Sequence, residues 1–336
     1  MVKEKPTTIS FFIKLIAGLA LLVIMFTGAM IFGAANTSVQ DVWQAITAQA
    51  GGENYSIIRE IRLPRELAAI LVGSALAVSG AIIQGMTRNP LADPGLLGLT
   101  AGSSAALALT MAFLPKANYM IIMIACFIGA AVGALLVFGI GALKRGGFTP
   151  IRLVFAGAAV SAFLVAVSEG VSLAYKISQS VSLWTSGGLI GTTWDQLQLI
   201  FWFIAAGLII AMLLARQLTI LSLSEEVAVG LGQKTTLIKA ILFLVTILLT
   251  GASVALVGNM TFIGLMIPHM VRAIVGTDYR YVVPMSAITG ASFMLLADTI
   301  GRTLNMPYET PVIAIVAMIG LPFFLFIVHK GGRSFL

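Results

Sequence analysis

The chain has 336 residues, of which 59% are hydrophobic and only 10% charged, and its mean hydropathy is +1.04. That composition speaks against a water-soluble domain, which needs more polar surface, and for a polytopic membrane protein, read as all-α from the apolar runs below. The net charge of +7 would suit nucleic acid, but the basic residues follow the membrane spans and imply no nucleic-acid partner; the single cysteine, Cys126, excludes an intrachain disulfide or a CxxC metal site.

Lys3, Lys5 and Lys14 flank an apolar run over 15–33. It is longer than the core of about 7–15 residues typical of a signal peptide, so it reads as a retained first span. Apolar runs of about 17–25 residues then predict about ten spans. They fall near 11–33, 64–85, 95–113, 119–142, 150–173, 195–215, 235–257, 260–275, 282–303 and 311–329. The runs at 95–113 and 260–275 are the weakest, and an eight-span topology competes. One transmembrane domain covers 1–336.

With an internal N-terminus, 14 of the 20 basic residues fall on cytoplasmic ends and 6 outside. This is the asymmetry expected of a cytoplasmic-membrane protein with both termini inside. The two long outer segments, 34–63 and 174–194, are sufficient for short surface helices but too small for a folded external domain.

In Arg62-Leu63-Pro64-Arg65, Pro64 suits the first turn of the second span, where its missing N–H costs nothing. Arg62 and Glu66 stand at i, i+4 spacing, and the stretch taken generically reads as the anchoring of a helix end at the interface. The run from Gly73 to Gly80 is echoed by the one from Gly251 to Gly258, in spans of opposite direction. This is compatible with an internal inverted repeat, although Gly/Ala-rich spans resemble one another by chance. Asn89, Pro90, Asp93, Pro94 and Gly95 form a cytoplasmic turn followed by a helix start, or simply a hairpin.

The stretch 217–234 predicts a short amphipathic cytoplasmic helix, about 222–232. Ser222 and Glu225 have capping-box spacing, Leu223, Val227 and Leu231 recur every four residues, Glu225 and Glu226 begin the first turn, and Gly232 stops the helix. At about 13 Å it is too short to cross a bilayer. It either fills a loop at the interface or acts as a lever in the groove of a cytoplasmic partner. Gly230-Leu-Gly-Gln-Lys-Thr235 lacks the spacing of a phosphate loop, so any ATP hydrolysis belongs to another subunit.

Only His269 and His329 are present, which leaves no multi-histidine metal site. Asp298 and Arg302 again have i, i+4 spacing, as a structural ion pair would.

Five motifs in order, RLPR at 62–65, NPLADPGLLG at 89–98, SLSEEVAVGLG at 222–232, FIGLMIPHMVR at 262–272 and ADTIGR at 297–302, resemble the permeases of ABC importers for ferric siderophores, haem and cobalamin, the FecCD type. The resemblance runs from about residue 55 to 330. It implies ten spans and a dimer with a second permease, the same chain or a related one. It also implies two cytoplasmic ABC ATPases, an external substrate-binding protein and a metal-chelate substrate, with alternating access and no covalent chemistry in this chain.

It assigns ATPase contact to the loop holding Ser222, Leu223, Glu225, Glu226, Val227, Ala228, Gly230, Leu231 and Gly232. It assigns docking of the binding protein to arginines matching Arg62 and Arg302, with Arg59 and Arg65 nearby. No cofactor is expected on this chain, ATP and Mg belonging to the ATPase. An ion-coupled secondary transporter and an intramembrane protease are the rivals; the first lacks ionisable residues near mid-membrane, the second a catalytic pair.

Overall fold

The structure is a computed structural model that describes residues 8–33, 37–47, 55–142, 150–186, 188–306 and 308–329. Of the 14 basic residues expected on cytoplasmic ends, Lys3, Lys5, Lys144, Arg145, Lys330 and Arg333 lie outside the described residues.

Fourteen α-helices account for the described architecture. They are α1 (Thr8–Ile31), α2 (Val39–Ile46), α3 (Leu63–Thr87), α4 (Leu99–Phe113), α5 (Tyr119–Ala142), α6 (Pro150–Ala174) and α7 (Ser178–Ser186). After these come α8 (Trp194–Leu213), α9 (Ala215–Leu223), α10 (Glu225–Gly230), α11 (Thr235–Val257), α12 (Ile263–Val275), α13 (Tyr279–Thr303) and α14 (Val312–His329). Seven, namely α1, α3, α5, α6, α8, α11 and α13, have the length and composition to cross a membrane. Three shorter apolar helices, Leu99–Phe113, Ile263–Val275 and Val312–Phe326, occupy the other expected positions. The long outer segments contain α2, closed by a reciprocal Ser38–Asp41 capping box, and α7.

The most enclosed spanning helix is α3; α1 lies on the periphery. Small residues set the central crossings, because in lipid close backbone approach and interhelical hydrogen bonds replace the hydrophobic drive. A Cβ on Gly73 would collide with the backbone of Gly290 in α13, and one on Gly80 with Gly264 in α12. Nearby, Ser74 Oγ donates to Ala287 O at 2.9 Å and Ser79 Oγ lies 2.9 Å from Thr250 Oγ1 of α11. Gly102 and Gly129 repeat the arrangement between α4 and α5. The two echoed stretches have different neighbours: Gly73 and Gly80 meet glycine backbones, while Gly251 meets Phe127 and Gly258 meets Thr185.

Pro64 lies in the first turn of α3, as expected, but the chain is already helical before it: a wider π-helical turn, Ile57–Arg62, runs directly into α3, with Leu63 N–H donating to Ile58 O. Such a turn shifts the bonding register just before a residue that has no N–H to give. At 89–97 the turn followed by a helix start forms as expected, and it is not a simple surface hairpin. Asp93 and Pro94 are buried and pack against Gly264, while Asn89 Oδ1 and Asp93 Oδ1 accept from Leu91 N–H (3.0 Å) and Gly95 N–H (2.8 Å). α4 and α12 are therefore short because the chain before each is irregular and shielded by protein, the setting in which non-helical backbone is tolerated at membrane depth.

Candidate functional site

The start of α3 and the end of α13 bring together Arg62, Arg65, Glu66, Asp298 and Arg302, all buried. Arg65 donates from Nε (3.1 Å) and Nη2 (2.8 Å) to Asp298, and from Nη1 to Glu309 Oε1 and Oε2 at 3.0 and 2.9 Å. Arg302 Nε lies 2.9 Å from Asp298 Oδ2, and its Nη2 donates to Glu66 Oε1 and to Ala29 O. Asp298 is thus clasped by two guanidinium groups. The cluster holds three arginines and three carboxylates, counting Glu309, a balance that offsets the steep cost of burying charge.

The i, i+4 pair Asp298–Arg302 forms as the spacing predicts. The pair Arg62–Glu66 does not. Arg62 instead donates to Met30 O (2.7 Å), Ile31 O (3.2 Å) and Thr37 Oγ1 (2.6 Å), capping carbonyls at the end of α1. These C-terminal carbonyls have no intrahelical partner, and a buried guanidinium satisfies several at once. Glu66 is left to Arg302. Arg59 is half-buried, donates to Ala45 O at 3.2 Å and lies over the Tyr55 ring at 5.8 Å. The four arginines assigned to docking are therefore gathered at one end of the bundle, each engaged within the chain.

The 222–232 stretch lies at the other end. It is not one helix with a Ser222 cap: α9 runs through Ser222, whose Oγ donates to Thr219 O at 2.7 Å, and the chain breaks at Ser224. Ser224 is extended and its Oγ accepts from Val227 N–H at 3.1 Å, so Ser224 caps the six-residue α10. Both serines precede the acidic pair, and only the backbone direction of the incoming α9 selects between them. The predicted stop is as expected: Gly232 has φ +77°, its N–H donates to Val229 O, and Gln233 N–H donates to Ala228 O, the paired bonds of a Schellman motif.

Leu223 precedes the break and does not share a helical face with Val227. Val227, Val229 and Leu231 are instead exposed together with it, Val229 at 58% and Leu231 at 67%, while Ala228 is buried. Glu225 is paired with Lys239 at 2.7 Å. The carboxyl of the fully exposed Glu226 is held below its ordinary value by its own backbone N–H and then by the Ser224 hydroxyl.

Sequence reasoning missed three participants. Glu309 has no motif around it. Thr219 of α9 accepts from Tyr279 N–H at 2.9 Å and lies 3.1 Å from Asp278 Oδ1, tying the α9–α10 element to the start of α13. The third, Asp278, was legible as an N-cap before a long helical run, since its side chain accepts from Arg280 N–H. Among the described residues no cluster of His, Cys, Asp and Glu could hold a metal ion.

A bundle of apolar helices with glycine crossings, internal breaks and a balanced charge cluster at one end is the architecture of a membrane transport permease. The chain belongs to the FecCD transport family, whose model matches residues 21–330. It is 44% identical to the iron(3+)-hydroxamate import system permease protein FhuB of Bacillus subtilis (strain 168), across 96% of this chain and 84% of the relative. The hemin transport system permease protein HmuU of Yersinia pestis is 38% identical, across 93% and 94%. A solved structure of a metal-chelate type ABC transporter in an inward-facing conformation superposes with a TM-score of 0.80 at 28% identity, covering 96% of this chain and all of that one.

Proposed function

We propose that this chain is the membrane-spanning permease subunit of an ATP-binding-cassette importer that carries a ferric siderophore or a related metal chelate across the cytoplasmic membrane. The observation that carries the reading is family membership over nearly the whole chain, with relatives named as iron-hydroxamate, siderophore, citrate and haem permeases. Haem and cobalamin remain alternatives within the same chemistry.

In this reading the permease pairs with a second copy or a related chain. Two separate ABC ATPases hold ATP and Mg, and an external binding protein delivers the chelate; this chain binds no cofactor. The exposed apolar surface of Leu223, Val227, Val229 and Leu231 is the ATPase contact. The arginine-rich end faces outward and receives the binding protein, and both termini lie in the cytoplasm.

Motion of the ATPases enters at α10, passes through α9 and the Thr219–Asp278 contact, and reaches α13. That helix has 25 residues, about 37 Å at the α-helical rise, and its far end holds Asp298 and Arg302. A single helix that reaches both ends gives motion at one a route to the other.

Ion-coupled transport is not favoured. Of its candidates Glu169, Asp298 and Arg302, the last two are held in ion pairs with each other and with Arg65 and Glu66, and Glu169 is exposed on α6.

Reconstitution tests the proposal. The chain alone should accumulate no ferric siderophore under a proton or sodium gradient. Adding the ATPases, any permease partner, the binding protein and ATP should give uptake with gradients collapsed. Gradient-driven accumulation by the lone chain would overturn the reading.

A further inference from the structure

The outer cluster has one exchangeable contact. Arg302 is committed to buried Glu66 and Asp298, and Arg62 to the carbonyls of Met30 and Ile31. Neither can turn to a partner without stranding buried groups. Arg65 differs because its two sides face different environments. Its Nε and Nη2 edge is held by Asp298, whose side chain is fully buried, whereas Nη1 is held by both oxygens of Glu309, whose side chain is 34% exposed.

Glu309 also lies outside the helices, between α13 and α14, so its side chain can leave Arg65 without breaking a helix; the neighbouring Thr310 N–H donates to Gly301 O at 2.9 Å. Leu304, Met306 and Tyr308 beside it are exposed, as is Ile61 on the turn before α3. A carboxylate on a rim of exposed apolar side chains has the makeup of a contact surface, with a polar group amid large side chains.

We infer that Glu309 is an internal stand-in for an acidic side chain of the external binding protein. Docking exchanges one carboxylate for another at Arg65 Nη1, while Asp298 keeps the inner edge. The inference rests on the docking reading above and deepens it: Arg65 is the acceptor, the ligand is an Asp or Glu side chain, and Glu309 competes with it. The exchange keeps the cluster neutral, because the carboxylate that leaves Arg65 moves into water as the other arrives. Without Glu309, Arg65 Nη1 would remain buried with no carboxylate of its own, which is why the site keeps one between dockings.

The test uses the complete importer in lipid nanodiscs and its own purified binding protein. Glu309→Gln should tighten binding about 5- to 10-fold at low salt, with the gain shrinking at high salt. Exposed Glu60, on the same turn as Arg59, provides the charge-matched control, and Glu60→Gln should tighten binding by less than about twofold. Arg65→Lys keeps a counter-charge for Asp298 but cannot bridge two carboxylates, so it should weaken binding and abolish the gain from Glu309→Gln.

Unchanged or weaker binding by Glu309→Gln, with Arg65→Lys still impaired, would overturn the stand-in and leave the docking reading intact. An equal gain from Glu60→Gln, or a gain from Glu309→Gln that persists when combined with Arg65→Lys, would also overturn it, because general charge would then explain the effect. Wild-type affinity in Arg65→Lys, with no salt dependence, would overturn the docking reading itself.

Discussion

Thr219 and Asp278 connect the short α9–α10 element to α13, the helix that reaches the charge cluster at the opposite end of the molecule. The Thr219 hydroxyl lies 3.1 Å from Asp278 Oδ1 and accepts the Tyr279 N–H at 2.9 Å, so one side chain serves both the cap and the first turn of α13. Leu218 and Tyr279 close together over Gly85, where an added Cβ would strike both. The end of α3, the middle of α9 and the start of α13 therefore meet at one point.

Thr219→Val keeps the shape and removes the hydroxyl. It should leave insertion intact, cost about 1 kcal/mol of stability, and lower uptake per ATP hydrolysed in the reconstituted importer. Uptake and hydrolysis measured on one preparation check this, and an unchanged ratio would remove Thr219 from the coupling path.

Burial raises the Asp278 pKa, but hydrogen bonds from Arg280 and Thr219 outweigh it and hold the carboxyl below its ordinary value of 3.8. With the folded pKa depressed, the cap's contribution is complete above the ordinary value and is lost only as pH falls through the lowered one. Asp278→Asn should therefore change thermal stability by the same amount throughout about pH 5 to 8. Melting curves of the variant and wild type at several pH values check this.

At the other end, Asp298→Ala would leave Arg65 and Arg302 buried without their shared carboxylate. A loss of about 3–5 kcal/mol is expected, read as poor recovery from membranes or a sharply lowered melting temperature. Asp298→Asn keeps some hydrogen bonds and should lose less. Glu169→Gln, at an exposed position on α6, should have no comparable effect on melting.

The glycine crossings give a steric prediction. Gly80→Ala puts a Cβ into the backbone of Gly264, so α3 and α12 must separate, at a cost of about 1–3 kcal/mol or more. Gly230→Ala meets no neighbouring atom and should leave thermal stability unchanged. The pair is compared by melting in detergent.

Gly230→Trp and Val229→Glu should spare the fold, because both positions are exposed, yet lower stimulated ATPase activity if α10 is the ATPase contact. Gly232→Val has the opposite signature. It strains a backbone at φ +77°, so it should loosen the cap itself, by roughly 1–2 kcal/mol. Activity at equal membrane levels, set beside limited proteolysis of the 224–233 segment, separates the two outcomes.

The sequence by itself determined the features that depend on local chemistry. Apolar length placed the ten apolar helices, because hydrogen bonding in lipid must be satisfied within each segment. The Asp298–Arg302 pair and the Gly232 stop were legible because i, i+4 spacing and a left-handed cap are properties of one helix. Tertiary structure decided everything that depended on a second element. Glu66 pairs with Arg302 instead of Arg62 because α13 brings the guanidinium alongside while the end of α1 presents bare carbonyls to Arg62. The 89–97 segment turns inward because Gly264 leaves room for Asp93 and Pro94. Glu309 meets Arg65 across 244 positions of the chain, a distance over which no spacing rule operates. A buried charge selects its partner by proximity and desolvation, and both exist only once the helices have packed.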